Sequence, residues 1–236
     1  MPLMTCWAEP LSDCGGKVSR EHYVSKGVFD KDLVTASGLS WCKGGKVEIG
    51  LTNAVAKILC EKHNSALSDF DSAAGDMSHF LLEQVRRNPE GKAHFSVNGW
   101  RLEKWALKTA INLTYLGAFG DRENIPTPEH LAILFRNSPT PDGMGLYLVS
   151  GELDTRLARA GVHWIDVRNT QTAELVAVKL ILNGVQLLAC LVPERADRKF
   201  FSDKEHANAT FSYRPNRFVL EGRGRAGTKT ISLDWT

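Results

Sequence analysis

The clearest hydrophobic pattern in the chain is LVAVKLILNGVQLLACLV, residues 175–192, where two apolar runs flank Asn183-Gly184. An Asn-Gly pair between such runs predicts a β-hairpin, because both residues accept the positive φ of a tight turn. Lys179, Asn183, Gly184 and Gln186 interrupt the stretch and would be costly in hydrocarbon, so it is not read as a membrane span. Earlier in the chain, Leu102, Trp105, Thr109, Leu113 and Leu116 recur at helical spacing and predict a helix from about Arg101 to Leu116, after a turn at Asn98-Gly99. Arg101, Lys104 and Lys108 run along its margin and read as a solvated edge. Phe80, Leu81 and Val85 predict a second helix, stopped by Pro89-Glu90-Gly91. Towards the N-terminus, KVSREHYVS reads as the first strand of a short hairpin and GGKVEIG as a small extended piece. A helix follows from near Thr52 or near Asn64, and the pattern leaves both starts open. After Pro126 and Pro128 the chain reads as strand-rich. The expected class is α+β, divided at the Pro-Glu-Gly stop into residues 1–90 and a strand-rich α+β domain, 91–236, with a substrate-binding or partner-sensing role.

Composition narrows the setting more than the activity. A chain of 236 residues with 43% hydrophobic content can bury a sizeable core. The formal charge of +2 is too small to hold nucleic acid by bulk electrostatics, so such a partner would need local patches. The opening residues lack a basic flank followed by a long apolar core, which leads to the expectation of a cytoplasmic protein with no membrane partner. Five cysteines, at 6, 14, 42, 60 and 190, are an odd number, and four fall in the first quarter of the chain. In a reducing compartment that clustering points to metal before disulfides.

Zinc takes four soft or borderline ligands at tetrahedral corners, commonly supplied as two local pairs. Cys60-Glu61-Lys62-His63 has the two-residue spacer that lets one tight turn present both side chains to an ion. Cys6 and Cys14 form a looser pair with seven residues between them. The expected set is Cys6, Cys14, Cys60 and His63 around a structural zinc, with Cys42 as packing or a substitute ligand and Cys190 as core.

The order of these pieces, a cysteine pair, then SREHYVSK, then a loop of about thirty residues, then LTNAVAKILCEKHNSALSDFD, resembles the HNH or ββα-metal nucleases over roughly residues 1–75. The resemblance implies a zinc-stabilised, treble-clef ββα module holding one catalytic magnesium or manganese ion. It also implies residue roles: His22 as general base, Glu21 and Asn64 as ligands of the catalytic ion, and Asn53 orienting the base. The chemistry suits these residue types, since phosphodiester hydrolysis needs a base for water and a cation for the charge that develops on phosphate. The implied activity is DNA hydrolysis, in restriction or phage defence. The rival expectation is a non-catalytic zinc-stabilised module that binds nucleic acid or protein.

In the tail, Arg214, Arg217, Arg223, Arg225 and Lys229 stand against the single acid Glu221, with Tyr213 and Phe218 interleaved. Cations neutralise phosphates and aromatic rings stack on bases, so this stretch is a candidate nucleic-acid contact, although such charges also protect strand edges.

Overall fold

Strand β1 (Val18–His22) does not close a local hairpin. Its partner is β4 (Val55–Cys60), antiparallel, with Val18 opposite Cys60 and His22 opposite Val55. Between them lies a separate two-stranded piece, β2 (Leu33–Ala36) with β3 (Val47–Gly50), the latter being the short extended segment expected from GGKVEIG. Helix α1 (Glu61–Ala66) follows β4 directly. Of the two expected helix starts the one near Asn64 is met within a turn, at Glu61, and the one near Thr52 is not, because Val55–Cys60 is claimed as strand by its pairing with β1. This computed structural model describes residues 6–37, 39, 42–43, 45–88, 90–119, 125–150, 162–195, 210–220 and 227–236.

Helix α2 (Ser68–Phe80) continues through a wider π-type turn, Leu81–Arg87, and ends before the predicted stop. Strand β5 (Ala93–Asn98) leads into α3 (Gly99–Tyr115). Asn98-Gly99 is therefore a helix start in place of the expected turn: the Asn98 side chain accepts a hydrogen bond from the Arg101 amide at 2.9 Å, as an N-cap does. Every residue of α3 from Leu102 to Thr114 except Lys104 is buried, so it is the central helix, and the margin read as solvated reaches the interior at Lys108, 1% exposed. A helix enclosed on most sides loses the one-sided stripe on which a solvent-facing reading depends.

Helix α4 (Pro128–Arg136) occupies a region expected to be strand-rich. Beyond it, β6 (Gly145–Ser150), β7 (Val162–Arg168), β8 (Leu175–Leu182), β9 (Val185–Cys190) and β10 (Thr210–Tyr213) form one sheet in the order β10-β6-β9-β8-β7. The β8–β9 hairpin turns at Asn183 and Gly184, with φ of 48° and 94°, as the sequence predicts. A fourth sheet, β11-β12-β5, joins β11 (Arg217–Leu220) and β12 (Lys229–Asp234) to β5, with β12 parallel to β5. The class is mixed α+β. One continuous hydrophobic core includes Cys6, Trp7, Met77, Trp105, Leu134, Leu180 and Ile231, so it spans both sides of the Pro-Glu-Gly stop. Among the described residues, no helix is long and apolar enough to cross a membrane.

The N-terminus of α4 carries a pH-sensitive cap. Thr127 N donates to Nδ1 of His130 at 3.0 Å, and Nε2 of the same ring, wholly buried, donates to the Leu191 carbonyl at 2.9 Å. This bonding fits only the neutral ring, and burial, the leading cause, lowers the His130 pKa. Above about pH 6.5 the ring is neutral folded and unfolded, whereas below it the unfolded chain takes up a proton that the folded protein resists. Stability is therefore expected to fall on acidification below about pH 6.5, by at most about 1.4 kcal/mol per pH unit for this group. Urea unfolding at pH 7.5 and 5.5 should show a flatter pH dependence for His130→Gln than for wild type.

Candidate metal centre

The four residues of the expected zinc set come together. The ligand atoms of Cys6, Cys14, Cys60 and His63 all lie within 4.8 Å of one another, and among the described residues this is the group of metal-binding type. Cys60 caps α1 and His63 is the third residue of that helix, so one turn presents both. The loose pair is closed by other means. Trp7 N bonds to the Ile58 carbonyl of β4 at 2.9 Å, residues Glu9–Leu11 coil into a 3-10 turn, and Trp7 Nε1 donates to Asn112 on α3 at 2.9 Å. The loop from 14 to 17 is held by Lys62 N to Gly15 O and Glu61 N to Lys17 O. Long-range backbone bonds thus do what a tight knuckle does elsewhere.

The donor geometry fits zinc. Nδ1 of His63 lies 3.2 Å from Cys60 Sγ, 3.4 Å from Cys6 Sγ and 3.7 Å from Cys14 Sγ. Tetrahedral zinc with its usual bonds to sulfur and nitrogen sets that edge near about 3.6 Å. His63 is buried and packs edge-on against Phe135, 4.8 Å between centroids, while Cys14 is the exposed corner. Burial raises the Cys6 thiol pKa, and burial together with the Cys6 and Cys60 sulfurs pushes Cys14 up to about 12. Burial also acts against charge on Cys60, but the amides of His63 and Gly15 outweigh it and hold that thiol below its ordinary value. Sulfurs that crowd one another in this way are relieved by a shared dication, which deprotonates coordinating thiols. Cys42 is buried outside the set and Cys190 lies in the core.

The residues expected around a catalytic ion have separate partners. Glu21 and His22 are neighbours on β1 and therefore project to opposite faces. The Glu21 carboxylate, 4% exposed, turns inward and meets the Lys108 ammonium at 2.6 Å. Lys108 also reaches both Asp71 oxygens, at 2.7 and 2.8 Å, and Ser25 Oγ donates to Asp71 at 2.5 Å while accepting from Trp105 Nε1 at 2.9 Å. Burial raises the Glu21 pKa and Lys108 opposes it. The His22 ring lies against the Leu51 backbone, with its Nε2 buried and unpartnered; burial lowers its pKa. Asn53 is an exposed residue of that same Leu51–Asn53 turn. Asn64 donates to Ser19 Oγ at 3.0 Å. Beside the Leu51 turn is a cleft of about 400 Å³ lined by Lys26, Lys31, Asp30 and Asp32 among others.

The basic tail is partly structural. Arg214 makes two 2.9 Å bonds to the fully buried Glu103 and lies over the Trp100 and Tyr213 rings, with centroids 4.4 and 4.9 Å away. Lys229, 3% exposed, donates to the Asn88 carbonyl at 2.8 Å and to the Gly91 carbonyl. Of the interleaved rings, Phe218 is buried, and Tyr213 donates to the Met144 carbonyl at 3.0 Å. Arg217 is exposed, and Arg223 and Arg225 lie outside the described residues. Sequence reasoning did not single out Lys108, Glu103 or Asp71 as partners, because none has a local pattern that signals burial. Comparison with family models, with curated proteins and with solved structures gave no match.

Proposed function

We propose that the chain is a zinc-stapled nucleic-acid-binding module built on an HNH-like ββα frame, in which the motif acid serves structure in place of catalysis. The reading rests on the Lys108 ammonium, held 2.6 Å from Glu21 and 2.7 Å from Asp71. A divalent ion at Glu21 would have to share that buried space with a fixed positive charge, which electrostatics opposes. The binding face follows from β1 and β4. Where their register slips, between Ser19 and Glu21, Arg20 and Lys57 are both exposed, and Lys17 is exposed just before β1. None of the three has an ion pair among the described residues. Cations on a ribbon fixed by a metal staple can follow a phosphate backbone without reading bases.

The test is fluorescence anisotropy with a labelled DNA duplex. Wild type is expected to bind, more weakly at 200 than at 50 mM salt, and a Lys17→Ser, Arg20→Ser, Lys57→Ser variant is expected to lose on the order of tenfold or more in affinity. Undiminished binding by that variant would remove this face from the proposal.

A second reading, HNH-type hydrolysis of DNA with His22 as base, has one observation in its favour: the unpartnered Nε2 of a ring seated against the Leu51 backbone. Plasmid nicking with added manganese separates the two. Cleavage by wild type that His22→Ala abolishes would establish the nuclease, and no cleavage by either protein is the outcome the binding reading expects.

A further inference from the structure

We infer that Asp13 is the positioning residue of the metal centre: its carboxylate fixes which nitrogen of His63 faces the ion. This rests on the reading of Cys6, Cys14, Cys60 and His63 as ligands. An imidazole can bind metal through either nitrogen, and the hydrogen bond made by the other one decides which is free. Here Nε2 of His63 lies 2.9 Å from Asp13 Oδ1. An ionised carboxylate only accepts, so Nε2 must carry the proton, and the Nδ1 lone pair is left pointing at the three sulfurs.

The second carboxylate oxygen is held as well. Lys62 Nζ donates to Asp13 Oδ2 at 2.6 Å and to the Asp13 backbone carbonyl at 3.0 Å. Phe135 packs edge-on against the imidazole. Lys62 belongs to the spacer of the Cys60–His63 pair and Asp13 directly precedes Cys14, so each ligand pair supplies one member of the support. The carboxylate also makes the imidazole a stronger donor and balances some of the ion's charge. A surface ion pair between Asp13 and Lys62 alone, half exposed at both ends, would contribute little to stability and nothing to metal affinity.

The experiment measures zinc affinity by competition with a chromophoric chelator, using the full chain. Asp13→Ala is expected to bind zinc about 10- to 100-fold more weakly than wild type. Asp13→Asn, whose amide oxygen still accepts from Nε2, should fall between, and Lys62→Met, which frees only the second carboxylate oxygen, should lose less than Asp13→Ala. Equal zinc affinity for wild type and Asp13→Ala would overturn the inference. A wild-type chain that binds no zinc would overturn the metal reading itself, which is a different result. Should Asp13→Ala fold poorly, the His63→Cys background decides: a thiolate needs no ring orientation, so adding Asp13→Ala there should leave zinc affinity unchanged. An equal loss in both backgrounds would show that Asp13 acts through the fold and not through His63.

Discussion

Replacing Lys108 by methionine is expected to destabilise the protein by about 3–5 kcal/mol, because removing one partner of a buried ion pair strands the other. Methionine keeps the volume of the side chain and takes away its charge. Glu21, 4% exposed, would then face Asp71 with no cation between them. The loss has a pH signature. Burial already raises the Glu21 carboxyl pKa, and without Lys108 the remaining influences of burial and Asp71 raise it further. With a folded pKa above its unfolded value, Glu21 gains its proton in the folded state first as pH falls, so acidification from neutral towards pH 5 should shrink the deficit relative to wild type. Pairing Lys108→Met with Glu21→Gln should recover part of the stability. Urea midpoints at two pH values check this, and a Lys108→Met variant within about 1 kcal/mol of wild type would show that the triad contributes little.

Stripping the metal should have an effect of similar size. Purified protein is expected to carry about one zinc per chain, and a strong chelator should lower the melting temperature by on the order of 10 °C, since several kcal/mol are at stake and each shifts a chain of this length by a few degrees. Two of the four ligands, Cys6 and Cys60, belong to the same continuous core as Ile58, Leu67 and Trp105, so loosening the staple should be felt by α3. Cys60→Ser should lose the zinc. Cys42→Ala should keep it, because Cys42 lies outside the ligand group. A chain that melts at the same temperature with and without chelator would refute a structural role for the ion.

The interior of this protein shows why a charge is hard to place from sequence. Lys108 shares a stripe with Arg101 and Lys104, and all three look alike as residues. Arg101 is exposed and Lys104 half-buried, but Lys108 ends beneath α2 and β1, where Glu21 and Asp71 hold it. Glu103, on the same helix, is fully buried against Arg214, the Leu146 amide and Thr140. Gly145, at φ 116°, gives that carboxylate room where any Cβ would meet it. Buried charges of this kind are tolerated only in company. Their partners stand far apart along the chain, beyond the reach of any periodicity.

The sequence by itself determined what is set by neighbours. The Asn183-Gly184 turn, the extended piece at Val47–Gly50, the helical face of Leu102, Trp105, Thr109 and Leu113, and the Cys60–His63 spacer were all legible, because each depends on φ preferences or on spacing within one or two turns. Only the tertiary structure decided the rest. It paired β1 with a strand some thirty-five residues away, set β12 beside β5, made Asn98 a cap, and drew Glu21 inward to Lys108 while His22 faced the other way. Those outcomes depend on which distant surfaces exclude water together and which buried charges find partners there, and both are properties of the assembled fold.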